Sequence, residues 1–219
     1  MRRQLLLQPA SLTWGIAMLQ MHNFVSSTQL FITNHNTMRT RIVAGNWKMN
    51  LTFEEADDLL YEIIEGLNKM DLTEREVVLC PPFPYLEMAT DLSEEFNVLV
   101  GAQNLSQFGN GAYTGEISAA MLQSMSVDFV IIGHSERRKY FGETDEVLAA
   151  KVNQALTHEL RPIFCCGELL PEREAGRHQA VVTAQLERGL FHLSEEDMQD
   201  VVIAYEPVWA IGTGVNASP

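Results

Sequence analysis

The sequence predicts an α/β domain built on a parallel sheet, and three features carry that prediction. Strand-like and helix-like segments alternate strictly from Arg41 onward. The strand-like segments are short, unbroken apolar runs, the pattern of strands covered on both faces. Polar, chemically capable residues gather just beyond the ends of those runs. A parallel sheet collects all its carboxyl ends on one face, so residues far apart in sequence can meet there.

In order, Arg41–Gly45 (RIVAG) reads as the first strand. Thr52 and Glu55 form a capping box ahead of a helix whose apolar face is Phe53, Ala56, Leu59, Leu60, Ile63, Ile64 and Leu67. Val77–Cys80 is a second strand, stopped by Pro81-Pro82, and a short helix runs through Tyr85–Leu92. Val98–Ala102, Phe129–Ile132, Pro162–Cys166 and Val201–Tyr205 read as the remaining strands. Helices are expected at Glu116–Met125, around Val147, Leu148, Val152, Ala155 and Leu156, and at Gln179–Leu190. This pattern fits an open doubly wound sheet and a closed barrel equally. No G-x-G-x-x-G follows the first strand, so the fingerprint of a dinucleotide fold is missing.

Composition bounds the function. The chain has 219 residues, 46% apolar and 20% charged, as expected of one globular domain with room for a tail. With 15 Lys plus Arg against 29 Asp plus Glu, the formal charge is −14, which argues against nucleic acid and against an anionic membrane surface as partners. Cys80, Cys165 and Cys166 lie in apolar runs and read as buried reduced thiols of a cytoplasmic protein. The six His show no H-x-x-x-H spacing, so no metal site is expected.

The first 37 residues differ from the rest: they hold Arg2 and Arg3 but no Lys, Asp or Glu. Their apolar stretch, Leu5 to Leu19, is broken by Gln8, Pro9, Ser11 and Thr13 and is too short to span a bilayer. Residues 1–37 are therefore expected to be an unmatched extension, a spurious start upstream of Met38 or a weak presequence, with 38–219 as the folded domain.

Four residues at strand ends could make a site together: Asn46, Lys48, His134 and Glu206, the outermost 160 positions apart. A carboxylate can take a proton from carbon, an imidazole can polarise a carbonyl, and an ammonium can stabilise the oxyanion that results. That set suits proton abstraction beside a carbonyl. Each residue alone also has a purely structural reading, as a solvated charge, a hydrogen-bonding histidine or a loop carboxylate. After Glu206, stiff Pro207 and permissive Gly212 and Gly214 flank an apolar Val208-Trp209-Ala210-Ile211, a composition suited to a hinged lid.

The blocks AGNWKMN (44–50), GAYTGEIS (111–118), IIGHSERR (131–138), CCGE (165–168) and AYEPVWAIGTG (204–214) resemble the triosephosphate isomerase family, in its order and spacing. The resemblance implies a (β/α)8 barrel, a homodimer, a triose phosphate as the small-molecule substrate, and no cofactor. It implies interconversion of dihydroxyacetone phosphate and glyceraldehyde 3-phosphate through an enediolate, in glycolysis and gluconeogenesis. By the same resemblance Glu206 is the base, His134 the neutral electrophile, and Lys48 and Asn46 substrate-binding catalytic residues. Glu136 partners the lysine, and Cys165 packs near the base. Pro207, Val208, Trp209, Ala210, Ile211, Gly212 and Thr213 form the lid, with the Gly212 N–H meeting phosphate. Thr114 is a dimer contact. The body from Met38 is shorter than the roughly 250 residues of such a barrel, so about six of eight βα units are expected and a C-terminally incomplete chain is inferred. The alternative is an inactive remnant or interaction module of the family.

Overall fold

The computed structural model describes residues 40–96 and 98–211. Six strands, β1 (Arg41–Asn46), β2 (Arg75–Cys80), β3 (Leu99–Ala102), β4 (Phe129–Ile132), β5 (Arg161–Cys166) and β6 (Val202–Tyr205), form one sheet. The helices are α1 (Phe53–Leu67), α2 (Leu86–Phe96), α3 (Ala119–Gln123), α4 (Ser135–Phe141), α5 (Asp145–Thr157), α6 (Leu170–Glu174) and α7 (His178–Leu190). Every neighbouring pair is parallel, from Arg41↔Arg75 on one side to Cys166↔Tyr205 on the other.

The strand order is simply β1 to β6 in sequence. A doubly wound sheet would reverse direction at a switch point; this one never does, which is barrel order. Side-chain contacts show the curl. Arg161 of β5 donates from Nη1 to Glu76 Oε2 of β2 at 3.0 Å. In a flat sheet those strands would stand roughly 14 Å apart, at about 4.8 Å per strand. The two side chains meet only because the sheet bends toward closure.

The unbroken apolar runs now have a reason. Val78, Cys80, Phe129, Ile131, Ile163, Cys165 and Ala204 pack together on the concave face. The residues between them, among them Leu79, Val100, Val130, Ile132, Phe164 and Cys166, pack outward against the helices. Period-two alternation is present, but both phases are buried, so it leaves no polar trace.

Helix α1 begins as its capping box requires: Glu55 N–H donates to Thr52 Oγ1 and Thr52 N–H to Glu55 Oε2. It buries Ala56, Leu60 and Ile64. Phe53 departs from the expected face; it is largely exposed and meets Tyr85 edge-on at 6.0 Å. The helix expected over Glu116–Met125 is shorter, because Ser118 caps it by accepting from Met121 N–H. Helix α6 begins at Leu170, with Pro at its first turn and Glu172 accepting from Leu169 N–H, and had no counterpart in the sequence reading.

Candidate active site

The carboxyl ends of the parallel strands open on one rim, and the chain leaves β1 and β4 through turns with positive φ. After β1, Lys48 takes a left-handed conformation (φ 55°), unusual for a residue with a Cβ. Three hydrogen bonds hold it there. Its N–H donates to Asn46 Oδ1 at 2.9 Å, and its carbonyl accepts from Gln103 Nε2 at 2.9 Å. Gln103 also donates to the Cys80 carbonyl at the end of β2. So Asn46 and Gln103 set the backbone from which the Lys48 ammonium reaches inward. Lys48 Nζ donates to Glu136 Oε1 at 2.8 Å, bridging β1 to α4. Both side chains are about two-fifths exposed, so the pair keeps contact with water and the lysine stays available.

Helix α4 begins at the end of β4, where Gly133 turns the chain with φ 77°. His134 is its N-cap, and the imidazole does what a Ser or Asp oxygen usually does: Nδ1 accepts the Glu136 N–H at 3.2 Å. A ring nitrogen that accepts carries no proton, so the ring proton sits on Nε2. That nitrogen faces Glu206 Oε1 at 3.4 Å.

Glu206 follows β6, its N–H donating to the Cys166 carbonyl at 2.7 Å. Its other carboxylate oxygen accepts the Ser135 N–H at 3.2 Å, a second unpaired donor of the α4 first turn. The imidazole and the carboxylate thus share one helix end. Beneath them lies buried Cys165; burial, then the Glu206 charge, pushes its thiol well above the ordinary range. It packs there as an inert neutral group.

Two neighbours of Glu206 had no role in the sequence reading. Gly167 approaches the Glu206 carbonyl so closely that a Cβ would stand 2.7 Å from its carbon. Gln185 of α7 clamps Gly167 from the other side, accepting its N–H at 2.8 Å and donating to its carbonyl at 3.1 Å. Glu168 is fully buried; it accepts from Tyr205 Oη at 2.9 Å and Trp209 Nε1 at 2.9 Å, with Arg173 Nη1 at 3.6 Å. This carboxylate ties the root of the segment after Glu206 to the end of β5. Burial, then the Glu168 bond, raises the Tyr205 phenol to about 12.

The structure therefore brings Asn46, Lys48, Glu136, His134 and Glu206 onto one rim, with Cys165 buried beneath it. Pro207 leads into a single turn of 3-10 helix, Val208–Ala210, followed by Ile211. Gly212 and Thr213 lie outside the described residues, as do residues 1–37. Thr114 sits exposed in a turn between β3 and α3. Nearby, Phe108 and Tyr113 stack at 4.3 Å between ring centroids.

Comparison with known proteins agrees in extent. A family model described as triosephosphate isomerase matches residues 41–219. A triosephosphate isomerase of Cytophaga hutchinsonii is 54% identical over 183 residues, covering 83% of this chain and 72% of that protein. Those of Bacteroides fragilis and Clostridium tetani are 52% and 49% identical over 182 and 181 residues. They cover 83% of this chain and 72% and 70% of those proteins.

Proposed function

The chain belongs to the triosephosphate isomerase family, and we propose that it interconverts dihydroxyacetone phosphate and D-glyceraldehyde 3-phosphate, with Glu206 and His134 moving the protons. One observation carries the assignment of roles: His134 turns a protonated Nε2 toward a carboxylate 3.4 Å away while its Nδ1 is held by the Glu136 N–H.

The chemistry follows from the positions. Glu206 removes the proton on the carbon beside the carbonyl. His134 donates its Nε2 proton to the carbonyl oxygen to give an enediol, then takes the proton of the neighbouring hydroxyl back onto Nε2 as that oxygen becomes the new carbonyl, and Glu206 returns its proton to the carbon that bore the old one. No atom is gained or lost. A 3.4 Å gap holds no carbon between the two groups, so substrate displaces the Glu206 carboxylate from the Ser135 N–H as it enters. Lys48 offsets charge on the substrate, and Asn46 both holds the Lys48 turn and presents an amide. Glu136 orients Lys48. Segment 207–213 closes over the site, and the Gly212 N–H meets the phosphate. The alternative of an inactive remnant is not favoured.

Substituting Glu206→Gln removes the base while keeping its shape. Isomerisation of dihydroxyacetone phosphate is expected to fall by about 10³-fold in kcat. A Gln variant with the parent's rate rules out Glu206 as the base. We further propose a cytoplasmic homodimer. No helix among the described residues is long and apolar enough to cross a membrane. Thr114 and the exposed Phe108–Tyr113 stack suit a contact between two copies. Light scattering of purified chain checks the mass, and a monomer at micromolar concentration counts against it.

A further inference from the structure

Arg138 sits on α4, four residues past His134. Its side chain is about four-fifths buried. The guanidinium makes three bonds in one plane. Nε donates to the Gly133 carbonyl at 2.9 Å, Nη2 to the Cys165 carbonyl at 3.2 Å, and Nη1 to Asp145 Oδ1 at 2.6 Å. Gly133 lies one residue past β4 and Cys165 is the next-to-last residue of β5, so the two carbonyls sit at neighbouring strand ends where β4 has stopped. Gly133 precedes the catalytic histidine. Cys165 precedes Cys166, whose carbonyl holds the Glu206 N–H. Asp145 opens α5, and Arg188 of α7 approaches its other oxygen at 3.6 Å.

We infer that Arg138 is a positioning residue: its fork ties the ends of β4 and β5 to the head of α5 and so sets the reach between His134 and Glu206. The inference rests on the reading of those two residues as proton donor and base. Beyond the backbone ladder, no other side-chain hydrogen bond among the described residues joins the two strand ends. The space is exact as well, since a Cβ at Gly133 would meet the Cys165 carbonyl at 3.0 Å and Arg138 Nη2 at 3.2 Å. A lysine carries the charge but not the planar fork, and cannot serve two carbonyls and a carboxylate in one plane.

The test compares Arg138→Lys, Asp145→Asn and Glu206→Gln with the parent full-length chain. Two readouts are used: steady-state isomerisation of dihydroxyacetone phosphate, and the ¹⁵N spectrum of the His134 ring. Arg138→Lys is expected to lose about 10²-fold in kcat, as a shift of roughly 1 Å would cause, with KM nearly unchanged because no substrate contact is removed. Its ring is expected to populate both tautomers, where the parent keeps Nδ1 unprotonated. Asp145→Asn is expected to lose less, in the same parameter, and carries the test if the lysine variant does not fold. Parent-like kcat together with a parent-like ring spectrum in the folded variants overturns the inference, and so does a loss confined to KM. If Glu206→Gln turns over at the parent rate, the assignment of the base fails; a parent that does not turn over counts against the proposed isomerisation. The ring spectrum still decides whether Arg138 governs His134.

Discussion

Gly167→Ala puts one methyl group where the base is held. The new Cβ would stand 2.7 Å from the Glu206 carbonyl carbon, with the carbonyl oxygen nearer still. Carbon atoms settle at about 3.5 Å or more, so the Glu206 backbone must retreat by at least about 0.8 Å. Gly167 cannot yield instead, because Gln185 grips both its N–H and its carbonyl. The Glu206 N–H is also bonded to Cys166, so the strain falls on the peptide that carries the base. A displacement of that size at a catalytic group lowers kcat by about 10²-fold, or about 2.7 kcal/mol of barrier. Overpacking is expected to reduce folding stability by about 1–3 kcal/mol. Coupled isomerisation kinetics and urea denaturation measure the two effects. Gly66→Ala is the control: its Cβ meets nothing within 4 Å on exposed α1, and it should stabilise by about 0.5–1 kcal/mol with kcat unchanged. If Gly167→Ala keeps kcat within about threefold of the parent, the claim that Gly167 sets the position of Glu206 is wrong.

Other perturbations have outcomes as definite. Lys151 is buried on α5, donating to Glu143 Oε1 and Asn104 Oδ1 at 2.6 Å each, so Lys151→Met should destabilise by about 3 kcal/mol in urea; a loss under about 1 kcal/mol would contradict this reading. Burial raises Cys80 to about 12 and Cys166 to about 11, with Cys165 raised further by Glu206. Ellman's reagent at pH 8 should therefore find essentially no reactive thiol in the native chain and all three in denaturant. Because these folded values lie above the ordinary 9.0, their contribution to stability is whole below pH 9 and is lost as pH rises through about 11 and 12. Glu168→Gln removes the charge beside Tyr205, whose phenol should then titrate below about 12, seen as tyrosinate absorbance in a difference titration; an unmoved phenol would show that burial alone sets it. Burial, the largest effect on Asp128, raises its carboxyl, so its contribution to stability is complete below 3.8 and lost above its raised folded value; Asp128→Asn should gain on the parent in denaturation midpoint as pH climbs through that window.

Much of the fold is local and was legible. The Thr52–Glu55 capping box is a reciprocal contact three residues apart, and it forms as written. Strands were legible as apolar runs, with boundaries within two residues. Closure was not, because it rests on contacts such as Glu76 with Arg161, 85 positions apart, which no periodicity encodes. Phe53 shows the opposite failure. Its spacing fits the apolar face of α1, yet at the first turn there is only Tyr85 to meet and no core beyond it.

The candidate site divides in the same way, but by chemistry. A search for groups that can transfer a proton or carry charge at strand ends selects Lys48, His134 and Glu206. Gln103 stands at an equivalent strand end, directly after Ala102, and the same positional rule reaches it. An amide neither titrates nor attacks, so such a search does not select Gln103, although it holds the Lys48 turn with one hand and the Cys80 carbonyl with the other. Gly167, Gln185 and Glu168 are alike in this respect. Each arranges a reacting group or the lid root through a partner 18 to 41 positions away. Glu168 left a usable sequence signal: a carboxylate two residues past the end of an unbroken apolar strand must find donors or leave the core. Asking what would satisfy it leads to Tyr205 and Trp209, on either side of Glu206, and so to the residue proposed as the base.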